Sequence, residues 1–201
     1  MYLTFVRHGE PARGVPHDPG LTDLGRRQAA EAAAFLSEED YAAVYVSPLR
    51  RATETAAPIA EALGLEPVVM DGLAEFDRAA PYRHFEDLVA AGDPRIEAYL
   101  RGDLSAWGTT AEAFRSAVAG AVDRIVAGHP GRRVVVVSHG GVANVFFAAV
   151  LGIDRLAFHS PAYGSVSRAR AGAGRYSLVS LNECGHLSGR AALSTATTNS
   201  Q

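Results

Sequence analysis

An α/β fold, three layers deep with a mostly parallel central sheet, is what this sequence predicts. Three observations carry it. Short apolar runs alternate along the chain with alanine-rich stretches at helical spacing. One run, RVVVVS at 133–138, is apolar and β-branched almost throughout, the pattern of a central strand buried on both faces. A chain of 201 residues, 48% hydrophobic and 20% charged, is long enough for one domain with a sizeable core.

The elements follow in order. YLTFV (2–6) reads as a short buried strand, and the Gly- and Pro-rich residues 7–21 as a loop. TDLGRRQAAEAAAFL (22–36) has helical periodicity and alanine propensity. AAVYV (42–46) is a second strand running into SPLRRATETAAPIAEAL, where Ser47 suits a helix cap and Pro48 its first turn; Pro58 is expected to kink or interrupt that helix. EPVVM (66–70) is a third strand. Residues 71–109 mix Gly, Pro, Asp and aromatics and read as short helices in a lid-like insertion. TAEAFRSAVAGAVDRIVAG (110–128) is an amphipathic helix, and VANVFFAAVLG forms another after the central strand. SVSRARA and RYSLVSL pair through the turn AGAG. Residues 1–187 form the domain, and 188–201 are small, polar and expected to be a disordered tail.

Composition removes several classes of function. Net charge is −3, so neither nucleic acid nor an anionic membrane surface is an expected partner. All 19 basic residues are arginine, which excludes a P-loop lysine, a Schiff base and a catalytic lysine. Cys184 is the one cysteine, too few for an internal disulfide or a thiolate metal cluster. Nothing resembles a signal peptide or a membrane span, so a cytoplasmic location is the expectation.

In an open α/β sheet, ligands bind beyond the carboxyl ends of the strands. Three strands here release polar groups at that end. YLTFV gives Arg7 and His8; AVYV gives Ser47 with Arg50 and Arg51 one turn on; RVVVVS gives His139, Gly140 and Gly141. If these strands are neighbours, two imidazoles and at least one guanidinium meet at one mouth, and Gly140 lets the backbone approach a ligand. Taken singly, a histidine after a strand is as often structural, and one of the two arginines is expected to face solvent. A metal site fits poorly: no histidines stand at i, i+4, and arginine repels a cation. A serine hydrolase fits no better, because SHGG lacks the elbow glycine before Ser138. Guanidinium groups suit phosphate oxygens.

VRHGEP, LTDLGRRQA, SPLRRATETA, LAE and VVVVSHGG, in this order, resemble the histidine phosphatase superfamily, also called phosphoglycerate mutase-like, over roughly residues 1–187. The ending SLNECGHL is similar to a branch of small broad-specificity phosphatases. The resemblance implies a phosphoglycerate mutase-like α/β/α sandwich and a metal-independent phosphomonoesterase with no cofactor. His8 would be the nucleophile that forms a phosphohistidine. Arg7, Arg51, His139 and Gly140 would hold the phosphoryl oxygens, with Arg50 turned elsewhere. Glu75, in the L-x-E position, would be the acid, with Asp77 and Glu86 as substitutes. Two family features are absent: Pro11 follows Glu10 where many members carry Thr or Ser, and FDRAAPYRHFEDL replaces G-x-W-E-G.

The partner implied is a small-molecule phosphate ester. Thr22, Tyr82 and Arg83 are candidates to contact it, as are His17 and His84; Arg83 with Arg13 would favour a second anionic group. His186 lines the pocket or serves the structure. Two other readings stay open: a mutase, and a non-catalytic phosphoester-binding protein. Oligomeric state is open too, a homodimer among the options.

Overall fold

The computed structural model describes residues 1–172 and 174–188; residues 189–201, where the polar tail was expected, lie outside the described residues. Six strands form one mixed sheet: β1 (Tyr2–Arg7), β2 (Ala43–Val46), β3 (Pro67–Val69), β4 (Arg133–Ser138), β5 (Val166–Gly172) and β6 (Arg175–Glu183). Their order is β3-β2-β4-β1-β5-β6. The first four run parallel, and β5 and β6 add antiparallel at one edge. The three strands whose ends carry the polar groups are therefore consecutive in space.

Alternation along the strands divides the core in two. Leu3, Phe5, Val134 and Val136 point into a layer with Phe146, Phe147, Val118 and Ile125 of α5 (Ala111–Gly128) and α6 (Gly140–Leu151). Val6, Val135 and Val137 point into the opposite layer, against Ala32, Ala33, Ala56 and Ile59 of α1 (Asp23–Leu36) and α2 (Arg50–Leu63). Helices thus cover both faces of the sheet. Alanines on α1 and α2 let those helices lie close to it.

The start of α2 departs from expectation. Its N-cap is Leu49, without a side-chain cap; Arg50 N–H instead donates to Asp18 Oδ1 at 2.8 Å. Ser47 lies two residues before that cap, where its hydroxyl accepts from Leu49 N–H at 3.2 Å and bonds His139 at 2.6 Å. Pro58 does not interrupt the helix: α2 runs on to Leu63, forgoing one main-chain hydrogen bond.

Residues 71–109 contain α3 (Phe85–Ala90), α4 (Pro94–Leu100) and two single 3-10 turns. Phe76 anchors the segment. Its ring lies 5.2 Å from Tyr99, 5.1 Å from Trp107 and 5.6 Å from Phe114 of α5, at stacking and edge-to-face angles that favour aromatic pairs. Among the described residues, no helix is long and apolar enough to cross a membrane.

Candidate active site

The mouth of the sheet is built on the ends of β1, β4 and β2. Arg7 pairs in register with Ser138, so His8 and His139, each one residue further on, emerge side by side. Their rings lie 5.0 Å apart, edge to face. His8 is 4% exposed and His139 is 1% exposed. His8 Nδ1–H donates to the Gly9 carbonyl at 2.8 Å. A carbonyl can only accept, so the ring proton sits on Nδ1 and Nε2 keeps its lone pair. Burial, then the charges of Arg51 and Arg7, hold the His8 pKa well below its usual value. Burial and the same arginines do this to His139 also. Both imidazoles are thus neutral at pH 7.

The backbone that carries His8 is clamped at close quarters. A Cβ on Gly9 would fall 2.3 Å from the Gly25 carbonyl oxygen, and one on Gly25 would fall 2.2 Å from that of Glu10. Gly9 N–H donates to Thr55 Oγ1 at 3.0 Å, and that hydroxyl donates to the Arg51 carbonyl at 2.7 Å. The glycine of RHG, the glycine of LTDLG and the last threonine of ATET therefore hold one knot.

Two guanidinium groups flank the rings. Arg51, 2% exposed, donates to Asp77 Oδ1 at 3.1 Å and lies 4.8 Å over the Tyr82 ring. Arg50 turns outward to Glu54 at 2.6 Å. Arg7 donates to the Pro161 carbonyl and lies 3.8 Å over the Tyr163 ring. Buried Nε atoms of Arg7 and Arg51 have no hydrogen-bond partner among the described residues. Gly140 opens α6 directly after the N-cap His139.

Glu75 comes from the turn after β3. It is 9% exposed, and its carboxyl accepts from Gly141 N–H at 2.8 Å and Phe76 N–H at 3.2 Å. A Cβ on Gly141 would meet Glu75 Oε1 at 2.3 Å, so the second glycine of HGG is what lets the acid seat. Burial, with the neighbouring Asp77 charge, raises its pKa to about 7. Burial raises Asp77 also, although Arg51 opposes it. Glu86 sits apart from this pair and accepts from the Tyr163 hydroxyl at 3.3 Å.

The other named residues fall outside this constellation or on its rim. Thr22 is the N-cap of α1: its hydroxyl accepts from Gly25 N–H at 2.9 Å and donates to Glu10 Oε2 at 2.8 Å. Tyr82 is on the rim, beneath Arg51. Arg83 and His17 are exposed, and Arg13 is spent on Asp87 at 2.6 Å. His84 is buried, its Nε2 3.4 Å from the Ala12 carbonyl. His186 serves the structure: its Nε2 lies 3.0 Å from the Gly164 carbonyl oxygen, and its ring stacks on Phe35 at 4.7 Å. Asn182, in the same SLNECGHL run, takes the left-handed conformation and accepts from Ala162 N–H at 2.7 Å. That ending thus pins the 158–165 loop.

One member of the site had no sequence signal. Tyr163 lies 5.5 Å from the His8 ring, in a PAYG loop without a motif. An apolar groove of about 420 Å³ between α5 and α6 holds none of these groups.

Comparison with known proteins bears on this arrangement. The family description "Histidine phosphatase superfamily (branch 1)" matches residues 3–184. A bifunctional protein of Mycobacterium tuberculosis is 36% identical over 151 residues, 68% of this chain, and the chain spans 40% of that relative's length. Phosphoserine phosphatase 1 of Hydrogenobacter thermophilus is 30% identical over 170 residues, covering 79% of this chain and 80% of its own. Among solved structures, a phosphoserine phosphatase of Entamoeba histolytica shares the fold with a TM-score of 0.77 at 24% identity, over 92% of this chain and 98% of that one. A mycobacterial glucosyl-3-phosphoglycerate phosphatase in complex with VO3 has a TM-score of 0.71 at 26% identity, over 91% and 99%.

Proposed function

The chain belongs to the histidine phosphatase superfamily, whose membership supports phosphatase activity, and from that premise we propose a phosphomonoesterase acting on a small phosphorylated metabolite through a phosphohistidine on His8. The observation that carries this reading is the His8 Nδ1–H bond to Gly9, which leaves a neutral, unprotonated Nε2 in an arginine-lined mouth.

The chemistry follows from the groups in place. His8 Nε2 attacks phosphorus as the ester P–O bond breaks. Arg7, Arg51, His139 and the Gly140 N–H meet the three remaining oxygens, where charge spreads in the transition state. Glu75 gives its proton to the leaving oxygen, a transfer suited to an acid with a pKa of about 7. Water then attacks the phosphohistidine while Glu75, now a carboxylate, takes the water's proton. Inorganic phosphate leaves, and both His8 and Glu75 return to their starting states. Arg7 and Arg51 supply the positive charge in every step, which is the basis for metal-independent turnover.

The relatives suggest the range of substrate: phosphoserine, glucosyl-3-phosphoglycerate and α-ribazole phosphate phosphatases all share this fold. Phosphate release from a panel of such esters, assayed in chelator, tests the proposal. His8→Ala should lower kcat by a factor on the order of 10⁴ and abolish an acid-labile phosphoenzyme. Full activity in that variant would sink the mechanism. An isomerised product in place of free phosphate would move the assignment to a mutase.

A further inference from the structure

Beside His139 lies a cavity of about 10 Å³, the size of one water molecule. Arg7, His139, Ser138, Ser165 and Ser167 give it a polar wall, and Phe5, Val6, Ala143 and Pro161 close the rest. Two of the three serines are already engaged: Ser138 donates to the Leu73 carbonyl at 2.9 Å, and Ser167 accepts from Asn182 N–H at 3.0 Å. Ser165 is not. Its Oγ is buried without a hydrogen-bond partner, and so is His139 Nδ1 on the same cavity. Arg7 Nε is a third orphan on a residue of the same wall. Buried polar atoms are nearly always partnered, and three orphans on residues around one water-sized space point to a shared partner.

We propose that this cavity seats one buried water joining Ser165 Oγ to His139 Nδ1, and that Ser165 is thereby a positioning residue for His139. The inference rests on the phosphatase reading of the same site and deepens it. Ser165 is well placed for the role. It directly precedes β5, its carbonyl accepts from Arg7 N–H at 3.0 Å, and its own N–H donates to Ala162 at 3.1 Å, so the residue is fixed at main-chain level.

The direction of the hydrogen bonds follows from charge. Arg7 forms one wall and can only donate, so its guanidinium turns the water oxygen towards itself. The water hydrogens then face away, and one of them reaches His139 Nδ1. With Nδ1 accepting, the ring proton of neutral His139 resides on Nε2. That nitrogen points to the Ser47 hydroxyl at 2.6 Å, on the substrate side of the ring. When a phosphate ester is bound, one of its oxygens replaces Ser47 Oγ as the acceptor of that N–H, so His139 acts as a hydrogen-bond donor without having to be cationic. The opposite tautomer would present a lone pair to the same oxygen and repel it.

The test reads the ring directly. In protein labelled with ¹⁵N-histidine, long-range proton–nitrogen spectra should show His139 with its proton on Nε2. Ser165→Ala should yield a mixture of tautomers and weaken vanadate binding about tenfold, the loss of one hydrogen bond's worth of positioning. Ser165→Thr, which keeps the hydroxyl, should restore both. A high-resolution crystal structure should show one water about 3 Å from both Ser165 Oγ and His139 Nδ1. The inference is overturned by a dry cavity, by His139 carrying its proton on Nδ1, or by a Ser165→Ala variant with unaltered tautomer and vanadate affinity. None of these readouts needs turnover, so a failure of the His8 chemistry and a failure of this inference are told apart.

Discussion

The cradle on β1, β2 and β4 and the acid carried by residues 71–109 are held in different ways. His8, His139 and Ser47 follow hydrogen-bonded strands in fixed register, so their separation is set by main-chain geometry. Glu75 follows a three-residue strand and a single 3-10 turn, and it is fixed by what packs on it: the Phe76 cluster below and Gly141 N–H beside it. A group set by main-chain geometry tolerates side-chain changes around it. A packing-set group does not, and its pKa moves with its neighbours.

The largest test of that contrast is Glu75→Gln. It should cost a factor of about 10² to 10³ in kcat on an alkyl phosphate and far less on p-nitrophenyl phosphate, whose leaving group needs no proton. Equal losses on both would break the assignment of the acid and leave the cradle standing. Next comes Gly141→Ala. The added Cβ displaces Glu75, so the same leaving-group dependence should appear, with a loss of about tenfold, without any change to an ionisable group.

Asp77→Asn sharpens the electrostatic side. In the parent protein kcat/KM should fall on the alkaline side around pH 7, as Glu75 loses its proton, and on the acid side only well below the ordinary imidazole range, as His8 gains one. Asp77 disfavours the ionised form of Glu75. Removing its charge should lower the Glu75 pKa and move the alkaline limb to lower pH; an unmoved limb would mean that another group sets it. The smallest effect belongs to Arg50→Ala. This guanidinium is paired with Glu54 on the outside of α2, its side chain 64% exposed, so kcat/KM should stay within about twofold.

What could be read from the sequence divides along the same line. The strand runs, the helix periodicity and the polar residues at strand ends are local signals, and the sheet order brings those ends together as expected. The site's geometry also separates Arg51 from Arg50. Contacts between segments distant in the chain left no such trace. Asp18 accepts from the first N–H of α2 across 32 residues, and Ser47 bonds His139, two contacts that the local pair Ser47 and Pro48 does not announce. Tyr163 reaches His8 only because Asn144 accepts from Phe158 and His159 and Asn182 accepts from Ala162, folding the loop back over the mouth. Thr22, a candidate contact by sequence, has its hydroxyl taken up by Gly25 and Glu10, partners that only the fold brings to it.

The backbone-to-backbone seat of Gly9 on Gly25 reaches further than the loop it braces. Side chains can swap rotamers to relieve pressure, but peptide planes in contact have no such recourse, so any shift of α1 along the sheet is transmitted undiminished to the reactive ring. The two glycines are also locked as a pair: neither can acquire even a methyl group, and no enlargement of one can be offset by a change at the other. A drift in helix docking too slight to alter the fold would therefore register first as a misdirected Nε2, which makes turnover a finer gauge of how α1 sits than any measure of overall stability.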